Sequence, residues 1–303
     1  MAEKRRLSEQ AVLFAVTLHS PEMRRKVSAD KVVVETDKSM IHVSKDLLDS
    51  PEVKAIFSRD SKYKDGYLRS RAFPSLVKNS VFLLPLALVP EVDRETERFL
   101  REREELVDVA ATAYPERRAA AMARLGALAD LREYPTGEKF RAAFSVDVVY
   151  LMLDTPVLLK GVRAGIFERE AKRTEAMWGK AGDDIKEALL TAFAELVGKM
   201  VTRLSDKEDG KRRAITEKGI AKLEDFLQTF EKRNIVGYKE LGELVAQARK
   251  LMKGANPGTL KASALLREQV KAGFASVQEV LEPMLEEAGV RHVRFAEGEE
   301  GGA

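Results

Sequence analysis

The chain contains no cysteine in its 303 residues and only three histidines. The absence of cysteine excludes disulfide bonds, thiolate nucleophiles, iron–sulfur clusters and cysteine-ligated zinc. Imidazole chemistry is confined to His19, His42 and His292. A chain without cysteine is compatible with a reducing compartment, and we therefore expect a cytoplasmic protein.

Long hydrophobic runs are also absent. Residues 11–18 follow a short basic stretch, but charged residues 22–26 stand where a signal peptide would carry its cleavage site. Residues 81–89 are apolar but too short to span a bilayer, and Pro85 interrupts them. Both segments are predicted to be buried strands, so we expect neither a membrane-spanning segment nor a membrane partner.

The common catalytic signatures are missing. The sequence has no glycine-rich dinucleotide motif, no phosphate loop, no Gly-x-Ser-x-Gly elbow, no His-Glu-x-x-His zinc motif and no kinase motifs. The sequence therefore predicts a protein that is not an enzyme, with no cofactor, no metal and no catalytic residues.

One carboxylate cluster gives a weaker, third hypothesis of a metal-dependent enzyme. Asp183, Asp184 and Glu187 would offer the oxygen ligands that a divalent cation prefers. Either of two simpler interpretations explains the same residues. In one, Asp183 or Asp184 caps a helix that restarts after Gly182, and Asp184 and Glu187 have the spacing of a capping box. In the other, the carboxylates are simply solvated. We favour these two interpretations over a metal site.

The remaining composition is that of a folded protein with a heavily charged surface. Hydrophobic residues make up 45% of the chain and charged residues 33%, which argues against disorder of the whole chain. The net charge is only +3, so the positions of the charges are more informative than their sum.

Residues 10–90 have the pattern of a mixed region. Residues 31–36 are rich in β-branched side chains and predict a strand, and residues 40–43 predict a shorter one. Pro51 is placed as the first residue of a helix that runs to about residue 72 and stops before Pro74.

From residue 90 onward the pattern is mainly helical. A charged helix is predicted over residues 91–113, followed by a break or kink at Tyr114-Pro115 and a second helix over residues 116–131. Residues 146–153 predict one further strand.

The strongest periodicity belongs to a long helix. Its apolar residues recur every three or four positions and share one face: Ile185, Leu189, Phe193, Leu196, Met200 and Leu204. We expect it to begin near Ala164 and to span ~40 residues, or ~60 Å at 1.5 Å per residue. Trp178 lies in the apolar phase and is predicted to be a core residue, whereas Gly179 and Gly182 leave open whether the helix is continuous.

Three further amphipathic helices follow, with short connections that favour antiparallel neighbours in a bundle or a coiled-coil-like arm. The predicted fold class is α+β and predominantly α-helical. The predicted divisions are a mixed α/β region over residues 1–90, an elongated helical domain over 91–290 and a disordered, acidic, glycine-rich tail over 291–303.

A basic stretch interleaved with aromatic residues indicates a nucleic-acid interface. Residues 54–80 hold seven lysines and arginines against two aspartates. The candidate contacts are Lys54, Arg59, Lys62, Lys64, Arg69 and Arg71, interleaved with Phe57, Tyr63, Tyr67 and Phe73. Cations along phosphates and aromatics stacked on bases are features of single-strand binding. An ordinary helix with an aromatic inner face and a solvated basic face explains the same pattern.

A second basic cluster consists of Lys211, Arg212 and Arg213. It follows the long helix, at the tip of the predicted arm, where phosphate or an acidic partner would be accessible. A solvated turn accounts for the same residues.

Two patterns in the first half of the chain support a resemblance. The run Val43 to Asp49 leads into the basic helix, and the run Phe82 to Pro90 precedes the charged helix that Tyr114-Pro115 closes. In this the chain resembles an uncharacterised family of phage and mobile-element proteins, often encoded near MoxR-like AAA+ ATPases and von Willebrand A proteins. The resemblance implies an accessory role beside an AAA+ ATPase or in DNA processing, and it implies no catalytic residues.

Two functional hypotheses follow. The first is a non-enzymatic interaction or assembly protein that associates with a protein partner or with itself through its long amphipathic helices. The alternative is a nucleic-acid-binding accessory factor in DNA replication or recombination, with the basic helix as its contact surface.

Overall fold

The computed structural model describes residues 6–28, 42–74, 81–205, 213 and 215–289. Within these ranges the fold is α+β and predominantly helical, as predicted. The strands are β1 (Ala11–Leu18), β2 (Arg24–Val27), β3 (Val43–Asp46), β4 (Phe73–Pro74), β5 (Val81–Pro85) and β6 (Val146–Leu151). The helices are α1 (Pro51–Ser61), α2 (Arg69–Arg71), α3 (Val89–Leu125), α4 (Gly137–Ala142), α5 (Leu159–Val162), α6 (Ala164–Leu204), α7 (Glu217–Arg233), α8 (Lys239–Met252), α9 (Pro257–Ala262) and α10 (Ala264–Glu287).

One antiparallel sheet, in the order β4-β5-β1-β6, lies between two groups of helices. Successive side chains of a strand point to opposite faces of the sheet. In β1, Phe14 and Val16 therefore pack toward α3, while Ala11 and Leu13 pack toward α6. This explains why the central strand is apolar along nearly its whole length.

The first group of helices covers one face of the sheet. The α1 helix begins where Ser50 Oγ accepts a hydrogen bond from Val53 N at 3.2 Å, with Pro51 at the first helical position. Helical structure then continues through a π-helical segment, Lys62–Leu68, into α2, close to the predicted end. Tyr63 in this segment stacks on Phe99 of α3, with ring centroids 4.0 Å apart.

The second group of helices, α6 to α10, packs on the other face. The predicted stripe of α6 is buried against α7, α8 and α10, and α6 is one continuous helix through Gly179 and Gly182. Its carboxyl end is closed by the buried Arg267, whose guanidinium donates to the carbonyls of Leu204 and Arg203 at 3.0 Å. A cation at this position also interacts favourably with the helix dipole.

Two boundaries differ from the predictions. Of the break or kink predicted at Tyr114-Pro115, the break is wrong, because α3 continues to Leu125 and ends at Gly126, whose φ is +52°. A helical proline removes one backbone hydrogen bond. Here buried packing holds the helix: Tyr114 stacks on Phe140 at 4.0 Å and its hydroxyl donates to the carbonyl of Pro135 at 2.8 Å.

The second difference concerns the strands. The strand predicted over residues 81–89 stops at Pro85, and residues 86–88 form a 3-10 turn before α3. The short strand expected at residues 40–43 instead covers Val43–Asp46 and pairs with β2, which the sequence pattern missed. The strand predicted at residues 31–36 and the tail predicted at 291–303 lie outside the described residues.

The sheet also crosses the expected division at residue 90. The β6 strand belongs to the second predicted region, yet it pairs along its whole length with β1 of the first, from Leu13 opposite Leu151 to Leu18 opposite Val146. Residues beyond 90 therefore complete the sheet of the N-terminal region.

A buried arginine holds this junction together. Arg103 of α3 is 3% exposed, and its Nε donates to Asp60 of α1 at 2.8 Å. Its remaining guanidinium nitrogens donate to the carbonyl of Phe144 at 2.8 Å and to the carbonyl of His19 at 3.0 Å. Since His19 N in turn donates to Ser145 O at 2.9 Å, this one side chain fixes the end of β1 against the start of β6.

We expect the substitution Arg103→Met to lower the free energy of unfolding by about 3–5 kcal/mol, because it leaves Asp60 buried without its charged partner. Urea unfolding followed by circular dichroism measures the change. The control is Arg98→Met on the same helix, whose exposed ion pair with Glu95 should be worth about 1 kcal/mol or less. Equal losses for the two variants would contradict this account of the junction.

Candidate functional site

The arginines of the predicted basic interface are held in ion pairs. Arg59 donates through Nε to Glu102 of α3 at 2.7 Å. Arg71 donates to Glu91 at 2.6 Å and, with both terminal nitrogens, to the carboxylate of Asp225 in α7. These carboxylates neutralise the two arginines and direct them into the protein, away from any phosphate at the surface.

Arg71 sits in a polar junction between the two groups of helices. Burial alone would lower its pKa, but hydrogen bonds to Asp225 and Glu91 outweigh burial and raise that pKa above its ordinary value. The neighbouring Arg233 of α7 is buried over the rings of Phe73 and Phe226. Burial, assisted by the charge of Arg71, lowers the pKa of Arg233 to about 10. The pair of arginines thus joins α2 and β4 to α7.

The interleaved aromatic residues do not form a stacking platform. Tyr63 and Phe73 are buried. Tyr67 faces the guanidinium of Arg71 at 5.1 Å, and burial raises its pKa to about 12. Of the four aromatics named with the basic stretch, Phe57 alone is exposed. The interpretation as an ordinary helix with an aromatic inner face accounts for this arrangement.

Of the four other candidate cations in the basic stretch, two form ion pairs and two form none with the described residues. Lys54 pairs with Asp49 at 2.7 Å and Arg69 pairs with Asp65 at 3.1 Å. Lys62 and Lys64 make no ion pair within the described ranges. The side chains of Lys54 and Arg69 are 73% and 70% exposed, so their surface ion pairs leave them accessible, unlike Arg59 and Arg71. The nucleic-acid hypothesis stays a prediction, and at this helix its candidates are Lys54, Lys62, Lys64 and Arg69.

The second basic cluster falls largely outside the described residues. Lys211 and Arg212 are not among them. Arg213 lies beside the end of α6, where its carbonyl accepts a hydrogen bond from Arg267 at 3.3 Å. The geometry of the cluster as a phosphate contact is therefore untested.

We expect Arg71→Met to act on stability, because Arg71 joins two groups of helices. The free energy of unfolding should fall by about 1.5–3 kcal/mol, the value of hydrogen bonds to charged groups. Lys64→Met, a matched change on the adjoining helical segment, should change it by less than about 0.5 kcal/mol. Urea unfolding measures both. If Arg71 were a phosphate contact, its substitution would instead weaken binding of labelled single-stranded DNA and leave stability unchanged.

The carboxylate cluster of the third hypothesis lies along the middle of α6. Because the helix is continuous there, neither Asp183 nor Asp184 caps a restarted helix, so the capping interpretation is wrong. Asp183 and Glu187 are exposed and Asp184 is half-buried, which agrees with the alternative that these carboxylates are solvated. In the described part of the chain, no group of three or more histidine, aspartate and glutamate side chains is placed to hold a metal ion.

A groove of about 1160 Å³ opens beside the start of β1 and the end of β6. Trp178 of α6 forms one wall, half-buried as its apolar phase indicates, and its Nε1 donates to the carbonyl of Leu153 at 3.2 Å. Leu7, Leu86 and Met152 contribute apolar surface, while Glu175 contributes charge. Hydroxyl and carboxylate side chains also line the groove, among them Ser8, Asp154 and Thr174.

The most distinctive surface of the molecule begins at β6. We define the β6 surface as β6 together with residues 152–162. Thirteen large hydrophobic side chains are exposed among the described residues, and seven of them lie here. They are Val149, Tyr150, Leu151, Met152, Val157, Leu158 and Val162. Such clusters of exposed apolar side chains mark interaction sites on folded proteins.

The position of β6 in the sheet explains part of this exposure. The face of β6 that carries Val149 and Leu151 is continuous with Leu13 of β1. Leu13 is covered by the core that α6 builds, but α6 does not extend over β6. On the opposite face, Tyr150 packs against Phe14, with ring centroids 4.9 Å apart, and its hydroxyl donates to Asp93 at 3.2 Å.

The β6 surface is also unusually poor in charge. Residues 146–162 contain three charged side chains, Asp147, Asp154 and Lys160, in a protein of which 33% is charged. Asp147 is already engaged by His19 at 2.9 Å. One feature of the sequence could have revealed this surface. The residues directly after Pro156 are the apolar run Val157-Leu158-Leu159, whereas a turn exposed to solvent would normally carry polar residues.

Comparison of the chain with protein-family models, curated proteins and solved structures finds no significant match. The resemblance to phage and mobile-element proteins therefore stays a prediction. Of the described helices, none has the length and apolar character needed to pass through a bilayer.

Proposed function

We propose that this protein is a non-enzymatic interaction or assembly protein that associates with another protein chain through the β6 surface. The observation that carries the proposal is the concentration of exposed apolar side chains over residues 149–162. Met152, Leu158 and Val162 are 85%, 89% and 75% exposed, so their apolar area is available almost in full to a partner.

The surface that we propose for association differs from the one predicted from the sequence. The sequence assigned association to the long amphipathic helices. The apolar stripe of α6 is instead buried in the core of the molecule, where Leu189, Phe193 and Val197 pack against the neighbouring helices. It is therefore not accessible to a partner. An association surface must be sought where apolar area is left uncovered, and β6 with the segment after it provides it.

The size of the effect is adequate for specific association. Full burial of one Val, Leu or Met side chain contributes about 1.5–3 kcal/mol. Association costs roughly 4–15 kcal/mol in lost translational and rotational freedom, so a partner has to bury most of the seven exposed side chains to give a net gain. The low charge of the surface reduces the cost of removing it from water.

The biological setting is proposed on the resemblance and on the composition. The resemblance favours a phage or mobile-element module in which an AAA+ ATPase is a neighbour, while the cytoplasmic location is proposed from the absence of cysteine. The groove beside Trp178 adjoins the β6 surface at Met152 and would extend the contact area for a partner.

The test uses one exposed residue of the β6 surface. We expect Leu158→Asp to abolish association, because it places a charge where the partner buries apolar area, while helicity and thermal stability stay unchanged. The protein is purified under native conditions from its own cells, and its mass is measured by light scattering. The wild type should exceed the monomer mass of 33.8 kDa, and the variant should not.

The matched control is Leu265→Asp. Leu265 is 72% exposed and lies in the first turn of α10, outside the β6 surface, so the wild-type mass should be retained. Wild-type protein that elutes at the monomer mass, or equal loss of association in both variants, would overturn the proposal.

A further inference from the structure

We infer that β6 pairs antiparallel with β6 of a second copy of the chain, so that two four-stranded sheets join into one across a two-fold axis. This inference rests on the proposed function and names its partner. It starts from the two edges of the sheet, because an edge strand presents backbone groups that another strand can pair with.

The two edges of the sheet differ. At one edge, β4 comprises two residues, and the second is Pro74, which has no backbone N–H to donate. Short edge strands and edge prolines are the usual protection against pairing between molecules. At the other edge, β6 has six residues and contains no proline, lysine or arginine. The protection present at β4 is missing at β6.

The hydrogen-bond pattern identifies which backbone N–H and C=O groups of β6 face away from β1; we call these groups the outer row of β6. His19 N donates to Ser145 O, and these residues lie opposite each other in the register of β1 with β6. In an antiparallel ladder, alternate residues bond to one neighbour. Asp147, Val149 and Leu151 therefore bond to β1, whereas the N–H and C=O groups of Val146, Val148 and Tyr150 point away from the sheet. Among the described residues, no other group hydrogen-bonds to this outer row.

The side chains favour a second copy as the partner. A strand pair across a two-fold axis brings the residue on the axis opposite its own counterpart and places its neighbours close to theirs, and like charges opposite each other are destabilising. The middle of β6, Val148-Val149-Tyr150, is uncharged. The second copy supplies both an unpaired row of backbone groups and apolar side chains that would cover Val149, Leu151 and Met152. A charged peptide would find no opposite charge on this strand except Asp147, which His19 already binds.

The absence of cysteine makes the test direct, because single introduced cysteines have no background. Five variants carry one cysteine each: Asp147→Cys, Val148→Cys, Val149→Cys, Tyr150→Cys and Leu151→Cys. In an antiparallel self-pairing, only the residue on the axis lies opposite itself, within the Cα separation of about 4.4–6.8 Å that a disulfide needs. We expect the yield of oxidised dimer to peak at one position and to fall at least fivefold two residues away.

The control is Val109→Cys, an exposed position on α3 that should give no cross-linked dimer above the background of random collision. Circular dichroism checks that each variant is folded. Equal yields at all five positions, or a dimeric mass without a peak in β6, would overturn the pairing. In the second case, association through another surface would remain, so the failure of this inference is distinguishable from the failure of the proposed function.

A second variant tests the same contact without oxidation. Val148→Pro removes an outward N–H but no hydrogen bond to β1, and proline is tolerated on edge strands. We expect a folded monomer, with the dimer dissociation constant raised at least a hundredfold. A dimer of unchanged affinity would contradict the pairing. If Val148→Pro does not fold, the cysteine series decides the question.

Discussion

The guanidinium of Arg103 is the contact on which the N-terminal half of the fold depends. It is buried, so each of its donors needs an acceptor. These acceptors are Asp60 of α1, the carbonyl of His19 directly after β1, and the carbonyl of Phe144 two residues before β6. Because all three must converge on one side chain, β6 is placed beside β1 even though about 130 residues separate the two strands.

The layered arrangement then determines which surface is left uncovered. The α3 helix covers one face of the sheet and α6 covers the other, but α6 follows β4, β5 and β1 and leaves out β6. On the α6 face the core therefore ends before β6, whereas on the α3 face Val146 and Val148 of β6 still pack against it. Val149 and Leu151 continue the apolar face of Leu13 beyond the point where the helices cover it.

Patterns along the chain predicted the parts of the fold that local physics controls. The helix start at Pro51, the stripe of α6 and the buried strand over residues 11–18 all depend on residues close in sequence, and the structure confirms them. The pairing of the basic stretch was not predictable in this way. Arg59 and Arg71 meet carboxylates 43 and 154 positions away, so their sequence neighbours gave no indication that they are neutralised.

The β6 surface was missed for a related reason. A continuous apolar run such as residues 148–153 is typical of a strand buried on both faces. Whether a strand occupies the centre or the edge of a sheet is set by its neighbours in space, which the run itself does not encode. The continuity of α3 through Pro115 is a similar case, because the packing of Tyr114 on Phe140 outweighs a local preference.

Residue-resolved amide hydrogen exchange over a series of protein concentrations tests the central claim, that β6 is the contact strand, most directly. The account predicts that the amides of Val146, Val148 and Tyr150 exchange rapidly in dilute solution and become protected as the dimer forms. The amides of Asp147 and Val149 should be protected throughout by β1. Rapid exchange of Val146, Val148 and Tyr150 at every concentration, including those at which the protein is a dimer, would contradict the account.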